Sequence, residues 1–223
     1  LIPNRHIRVT PVNYTPGFQW STLPFIDFRI QADLDAISAD VNAHNLMIGM
    51  GADMVVLLTD NNYTGQFSDL NSGAIFGIAN SLIPTSVNKF SIVQVANMDA
   101  SRYTMAHEMS HHFGCHHSND NTVQNCPHGT NMSNGRNTIM ANNALDFSRI
   151  PNFSNPDISV SGVATGTANY RNNAQQIRTA FCETANNAPD LFSVTFTPGI
   201  PNLCLSGQGG LPTFTSTVVQ GYC

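Results

Sequence analysis

Charge is scarce in this sequence. Asp, Glu, Lys and Arg make up only 10% of its 223 residues, the formal net charge is −5, and glutamate occurs at just two positions, Glu108 and Glu183. A chain this poor in basic residues offers no electrostatic footprint for nucleic acid and no polybasic patch for an anionic membrane surface. Long apolar runs are missing as well. The longest, residues 54–58 and 191–196, fall far short of the roughly 20 residues that span a bilayer. There is no internal repeat, no Cys-x-x-Cys pair and no Gly-x-Ser-x-Gly. Redox motifs of the thioredoxin kind and serine nucleophile elbows are thereby excluded. The chain opens at Leu1 without the basic, apolar and small-residue regions of a secretory signal, so it is expected to be a processed product, its signal or pro-segment removed.

What the sequence does have is enough chain for one domain with a real core, and five cysteines: Cys115, Cys126, Cys182, Cys204 and Cys223. That number is high for a reducing compartment. We expect disulfides and a secreted, extracellular protein, with one thiol left over from the odd count. Cys115 and Cys126 are expected to pair across ten intervening residues, leaving Cys182, Cys204 and Cys223 to share one bridge and one odd thiol.

The pattern of apolar residues predicts strands over 6–12 and 25–30, then a helix over 34–47 with Asp33 as its N-cap, closed by Gly49 and Gly51. Residues 52–58 read as a fully buried strand, so that strand, helix and strand suggest a crossover unit. Residues 73–79 read as an edge strand and 90–95 as another strand. A helix beginning near Asp99 or Ser101 runs to Phe113, where Gly114 stops it. From there to 157 the chain is rich in Asn, Gly, Ser and Pro and reads as loops. A last helix is expected over 169–185, with Ala174, Ile177, Phe181 and Ala185 on one face. Beyond Pro189 lies a β-prone extension.

The chemistry is concentrated in His107-Glu108-Met109-Ser110-His111-His112-Phe113-Gly114-Cys115-His116-His117. Residues i and i+4 share a helix face, so His107 and His111 can direct two imidazoles at one metal while Glu108 reaches the metal's water. A catalytic zinc takes three protein ligands and keeps a position open. A continuing helix would carry the next histidine away. Gly114 can adopt the left-handed conformation, turn the chain, and bring His117 round as the third ligand. His112 and His116 face elsewhere and read as surface or supporting residues.

This long motif resembles that of the metzincin superfamily, which pairs it with a tight methionine-bearing turn beneath the metal. Asn137-Thr138-Ile139-Met140-Ala141 is similar to that Met-turn, with Met140 twenty-three residues beyond His117. Residues 51–58, Gly77-Ile78-Ala79, 105–114 and 150–157 resemble the reprolysin-like (adamalysin-like) branch and bacterial peptidyl-Asp metalloendopeptidases. Two positions differ from relatives: Ser118 stands where adamalysins usually have Asp, and Met140-Ala141-Asn142 lacks the tyrosine of astacins and serralysins. The resemblance implies an α+β, zincin-like catalytic domain over 1–188. It would consist of an upper subdomain (1–114), with a twisted, mostly parallel five-stranded sheet and long helices, above an irregular lower subdomain (115–188). The extension over 189–223 would follow.

By the same resemblance, Gly77, Ile78 and Ala79 would pair with an extended substrate in the cleft between the subdomains, and Arg149 would line the pocket just after the scissile bond. The expected function is that of a monomeric, zymogen-derived zinc endopeptidase acting on proteins or peptides. Zinc is the expected cofactor, with calcium left open, and Glu108 the general base. Two rivals are a catalytically silent binding or adhesive module on the same fold and a zinc hydrolase of non-peptide substrates.

Overall fold

A computed structural model describes residues 7, 9–22, 26–63, 75–98, 102–118, 127–141 and 149–185, with backbone alone at 26–28. Its first helix, α1 (Ile26–Ala39), exists because Ile30, Leu34 and Ile37 recur at helical spacing and all three are buried. The strand expected over 25–30 is instead the opening of this helix. β-branched residues there favour a strand only while no longer apolar stripe claims them. Asp33 is likewise not a cap but lies inside α1, fully buried. Its carboxylate accepts from the Ser21 amide at 2.6 Å and the Tyr63 hydroxyl at 2.7 Å, the pairing a buried carboxylate needs.

The cap belongs to Asp40, which ends α1 and starts α2 (Val41–Gly49), so the one helix expected over 34–47 is two. The Asp40 carboxylate accepts from the amides of Asn42 and Gly17, each at 2.8 Å, and from the Tyr14 hydroxyl. Residues 7 and 9–12 carry no strand. Ile7, Val9 and Val12 are exposed there, and among the described residues no neighbouring strand supplies the ladder that extended backbone requires.

Three strands form a sheet of order β1-β3-β2 among the described residues. β1 (Val55–Thr59) runs parallel to β3 (Phe90–Gln94), and β2 (Gly77–Ala79) pairs antiparallel on the other side. The five-stranded sheet that the resemblance implies is not confirmed. β1 stands at the margin of these three strands with Leu58 exposed, so the fully buried strand expected over 52–58 is partly buried instead. β3 is the central strand, and every residue in it is buried. Its polar members are satisfied: Ser91 bonds His112 across 2.7 Å and Gln94 donates to the Asn61 carbonyl at 3.0 Å. Ile92 and Phe90 join Ile30, Leu34, Ile37, Ala43 and Tyr63 in the main core beneath α1.

α3 (Thr104–His111) packs across β2 and β3. After it the described residues up to 157 are held by single bridges and turns, as expected from their Asn, Gly and Ser. One small hairpin, β4 (Ser159–Val160) and β5 (Val163–Ala164), closes through Ser161 and Gly162, both at positive φ (53° and 76°), the form a two-residue hairpin turn demands. α4 (Asn173–Ala185) follows. Its buried stripe is Asn173, Ala180 and Thr184 with Ile177 half-buried, one residue round from the expected face, and Phe181 stacks on Phe113 at 6.1 Å. Residues 189–223 lie outside the described residues.

Candidate metal centre

Two local devices place the three histidines. α3 carries His107 and His111 one turn apart, and the helix then ends in a Schellman turn. Gly114, at φ 82°, donates to the His111 carbonyl at 2.8 Å, and Cys115 donates to the Ser110 carbonyl at 3.2 Å. The chain reverses there. His117 comes back over the helix, and its Nε2 lies 2.9 Å from His107 Nε2 and 3.1 Å from His111 Nε2.

Each helical imidazole is held in one tautomer. His107 Nδ1 donates to the Ile139 carbonyl at 2.8 Å, and His111 Nδ1 donates to the Cys115 carbonyl at 2.9 Å. With Nδ1 protonated, the Nε2 lone pairs point inward, as a metal-binding histidine requires. Burial and the neighbouring imidazoles hold His107 well below the ordinary histidine range and bring His111 down to about 3. The two helical Nε2 atoms are therefore uncharged, and their lone pairs face the site that His117 Nε2 shares. The separations near 3 Å suit one ion with bonds of about 2.0–2.1 Å. The residues present fit zinc: among the described residues, these three form the one group of His, Cys, Asp or Glu able to hold an ion.

Glu108 is buried next to His107 in sequence, and its burial raises the carboxyl to about 8, with the Arg149 charge pulling the other way. It faces Gly77 of β2. Met140 is fully buried in a cluster with Cys115 and Ile139, flanked by Tyr103, Ala106, Phe153 and Ile177. The same turn thus packs its methionine into the apolar floor and offers a carbonyl to His107. Gly129 lies flat against it: a Cβ there would come within 2.3 Å of the Met140 carbonyl carbon.

Of β2, Gly77 and Ala79 fall between the bonded pairs of the ladder. Asn80 donates to Phe90 and Gln94 donates to Phe76, each at 3.0 Å, which leaves the Gly77 and Ala79 backbone groups pointing away from β3. Ile78 packs its side chain on the main core. Arg149 is engaged by the protein itself. Its guanidinium donates to the carbonyls of Arg102 at 2.7 Å and Ala141 at 3.0 Å, tying the chain before α3 to the end of the Met140 turn. His112 is buried behind α3, where Nδ1 donates to the Ser81 carbonyl at 3.1 Å and Nε2 accepts from Ser91. His116 sits beside His128, ring centres 5.8 Å apart. Neither joins the trio.

The expected Cys115–Cys126 disulfide is absent. Cys115 is a free, fully buried thiol whose Sγ lies 3.8 Å from the Asn173 carbonyl, because the Schellman turn points it into the core. Cys182 does form a disulfide, with a partner outside the described residues. Cys126, Cys204 and Cys223 lie outside them as well.

A family model of the reprolysin type, for metallo-peptidase family M12, matches residues 29–154, more than half the chain. The chain belongs to metallo-peptidase family M12. The matched span contains the three histidines, Glu108 and Met140. Among solved structures it is similar to a chain from "Structure of a chaperone-substrate complex", with a TM-score of 0.50 and 18% identity. That match covers 76% of this chain and 26% of the other, so this chain spans about a quarter of that longer chain's length, and the likeness is one of fold alone. No curated protein matches the sequence.

Sequence reasoning did not find the Ile139 and Cys115 carbonyls that orient the imidazoles. Every residue has a carbonyl, so nothing in the residue types marks these two. The contact of Gly77 with Glu108 was equally hidden, although a glycine inside a predicted strand is a signal of close approach.

Proposed function

We propose that this metallopeptidase is a secreted, zinc-dependent endopeptidase in which His107, His111 and His117 hold the ion and Glu108 is the general base. The convergence of three Nε2 atoms, two of them on tautomer-locked imidazoles, beside a buried carboxylate carries this reading. Bound zinc would supply Lewis acidity, polarising the scissile carbonyl and acidifying a water. The rest is done by the chain. Glu108 accepts the water's proton at its carboxylate and returns it to the leaving amine. No acyl-enzyme is required.

The outward backbone groups of Gly77 and Ala79 can pair with an extended peptide, a recognition mode that reads main chain before side chains. The substrate would lie in a cleft between residues 1–114 and 115–188. Protein or peptide substrates and a monomeric, zymogen-derived enzyme follow the same reading. Arg149 would bias the pocket beyond the scissile bond toward acidic side chains only if it released its two carbonyl partners.

The test is a diverse peptide library incubated with and without chelator, cuts read by mass spectrometry, beside Glu108→Gln and His111→Ala. Glu108→Gln should keep one zinc and lose about a hundred-fold to ten-thousand-fold in rate. His111→Ala should lose zinc and activity together. A parent that binds zinc and cuts nothing overturns the enzyme reading in favour of a binding module.

A further inference from the structure

Gly77 occupies the first position of β2, and its φ is not among the positive ones, so any residue could adopt its backbone. A glycine inside a strand weakens it without such a need. The reason lies across the gap to α3. A Cβ on residue 77 would lie 2.7 Å from Glu108 Cγ, 2.8 Å from Oε1 and 3.0 Å from Cδ. Ordinary carbon contacts are about 3.5–4.0 Å. The three nearest atoms all belong to one side chain, the buried carboxylate assigned as the base.

We propose that Gly77 is a positioning residue for Glu108: the bare Cα of β2 is the wall against which the carboxylate rests, and any side chain there displaces it. The inference rests on Glu108 being the base of a peptidase. It also says where the damage falls. The obstructed atoms, Cγ, Cδ and Oε1, belong to a rotatable side chain and not to backbone, so a methyl group at 77 can be accommodated by turning Glu108 aside while the strand, the Schellman turn and the three imidazoles stay in place. Misplacement of a reacting group by about 1 Å can cost on the order of a hundred-fold in rate. The fold is spared and the chemistry is not.

The test is a double-mutant cycle on the full chain, combining Gly77→Ala with Glu108→Ala, with zinc content, peptide cleavage and melting of the metal-free protein read on all four proteins. Gly77→Ala alone should stay folded, bind one zinc and lose on the order of a hundred-fold in kcat with KM little changed. In the Glu108→Ala background the obstructed atoms are gone. There the same change should leave the residual rate within about twofold and raise the melting temperature, because alanine restricts the unfolded chain more than glycine does. A merely structural role for Gly77 would shift melting in the same direction in both backgrounds. Gly77→Ala that cleaves at the parental rate, fails to fold, or lowers the melting temperature of Glu108→Ala protein overturns the proposal. A parent that cuts no peptide sinks the peptidase reading instead, and the melting cycle still decides whether Gly77 and Glu108 are coupled.

Discussion

The Nδ1 of His107 donates to the carbonyl of Ile139 across 2.8 Å, so the residue before Met140 fixes the tautomer of the first histidine of the metal motif. Thirty-two residues of sequence separate the two. The turn is itself held: Ile139 donates to the Asn152 carbonyl and Ala141 to the Thr138 carbonyl, each at 3.0 Å. Its methionine is therefore coupled to the metal centre through packing.

Met140→Ala should accordingly do two things. Emptying a site with no exposure costs about 2–5 kcal/mol in unfolding free energy. Loosening the Ile139 carbonyl should also weaken zinc affinity by about ten-fold to a hundred-fold, the usual effect of disturbing a ligand's orienting partner. Denaturant melts and competition with a zinc chelator measure the two. A large stability loss with unchanged zinc affinity would separate the methionine from the centre.

The parts that sequence made legible are those written in side-chain type and spacing. His107, His111 and His117 announce themselves by i, i+4 geometry and a glycine turn, and Gly114 has the positive φ that the argument required. Met140 was legible once the zinc motif was. Elsewhere the failures have a common cause: a competing longer-range partner. Residues 26–30 look β-prone alone, but the stripe through Ile30, Leu34 and Ile37 makes them helix. Asp33 has cap chemistry, yet Tyr63, thirty residues on, takes it into the core. Cys115 and Cys126 are near in sequence, and the turn between them and the helix directs Cys115 to Asn173 instead.

Cys115 is expected to be unreactive while the protein is folded. Burial pushes its thiol up to about 12, so at neutral pH almost none is thiolate, and the thiolate is the species that reacts. An alkylating agent without reductant should leave Cys115 untouched in the native protein and label it promptly in denaturant. Cys182 should label only after reduction as well. Recovery of Cys115 in a disulfide-linked peptide would contradict the structure.

The stability of the metal-free protein should peak near neutral pH, for reasons of opposite sign. Burial lowers His107 well below 6.5, His111 to about 3 and His112 to about 4. Below pH 6.5 the unfolded chain takes up protons there that the folded chain refuses, so the stability these groups contribute is lost as pH falls toward their folded values. Glu108 works the other way. Raised from 4.5 to about 8, it holds a proton in the folded chain that the unfolded chain has released, and its contribution is lost as pH rises from 4.5 to 8. Between 4.5 and 6.5 three histidines outweigh Glu108 and Glu183, which burial also raises, so stability climbs with pH. Between 6.5 and 8 Glu108 stands against histidines that no longer differ, and stability declines gently. Lys89, lowered by burial to about 8, then reverses the slope. Chemical denaturation at half-unit pH steps should trace that maximum, and Glu108→Gln should abolish the decline. Added zinc should raise stability across the neutral range and lose that effect as acid competes for the imidazoles.

Arg149 separates two roles by experiment. Its paired donation to the Arg102 and Ala141 carbonyls makes it a brace between the approach to α3 and the Met140 turn. Hydrogen bonds to a charged group are worth about 1.5–3 kcal/mol, so Arg149→Ala should lower unfolding free energy by that order. Arg149→Lys should recover little of it, because a single ammonium cannot reproduce two diverging N–H donors. A substrate role predicts something else: unchanged stability, and a library profile that loses acidic residues after the cut. If Arg149→Ala melts like the parent but shifts that profile, the arginine reads substrate; if it melts early with the profile intact, it holds the two sides of the site together.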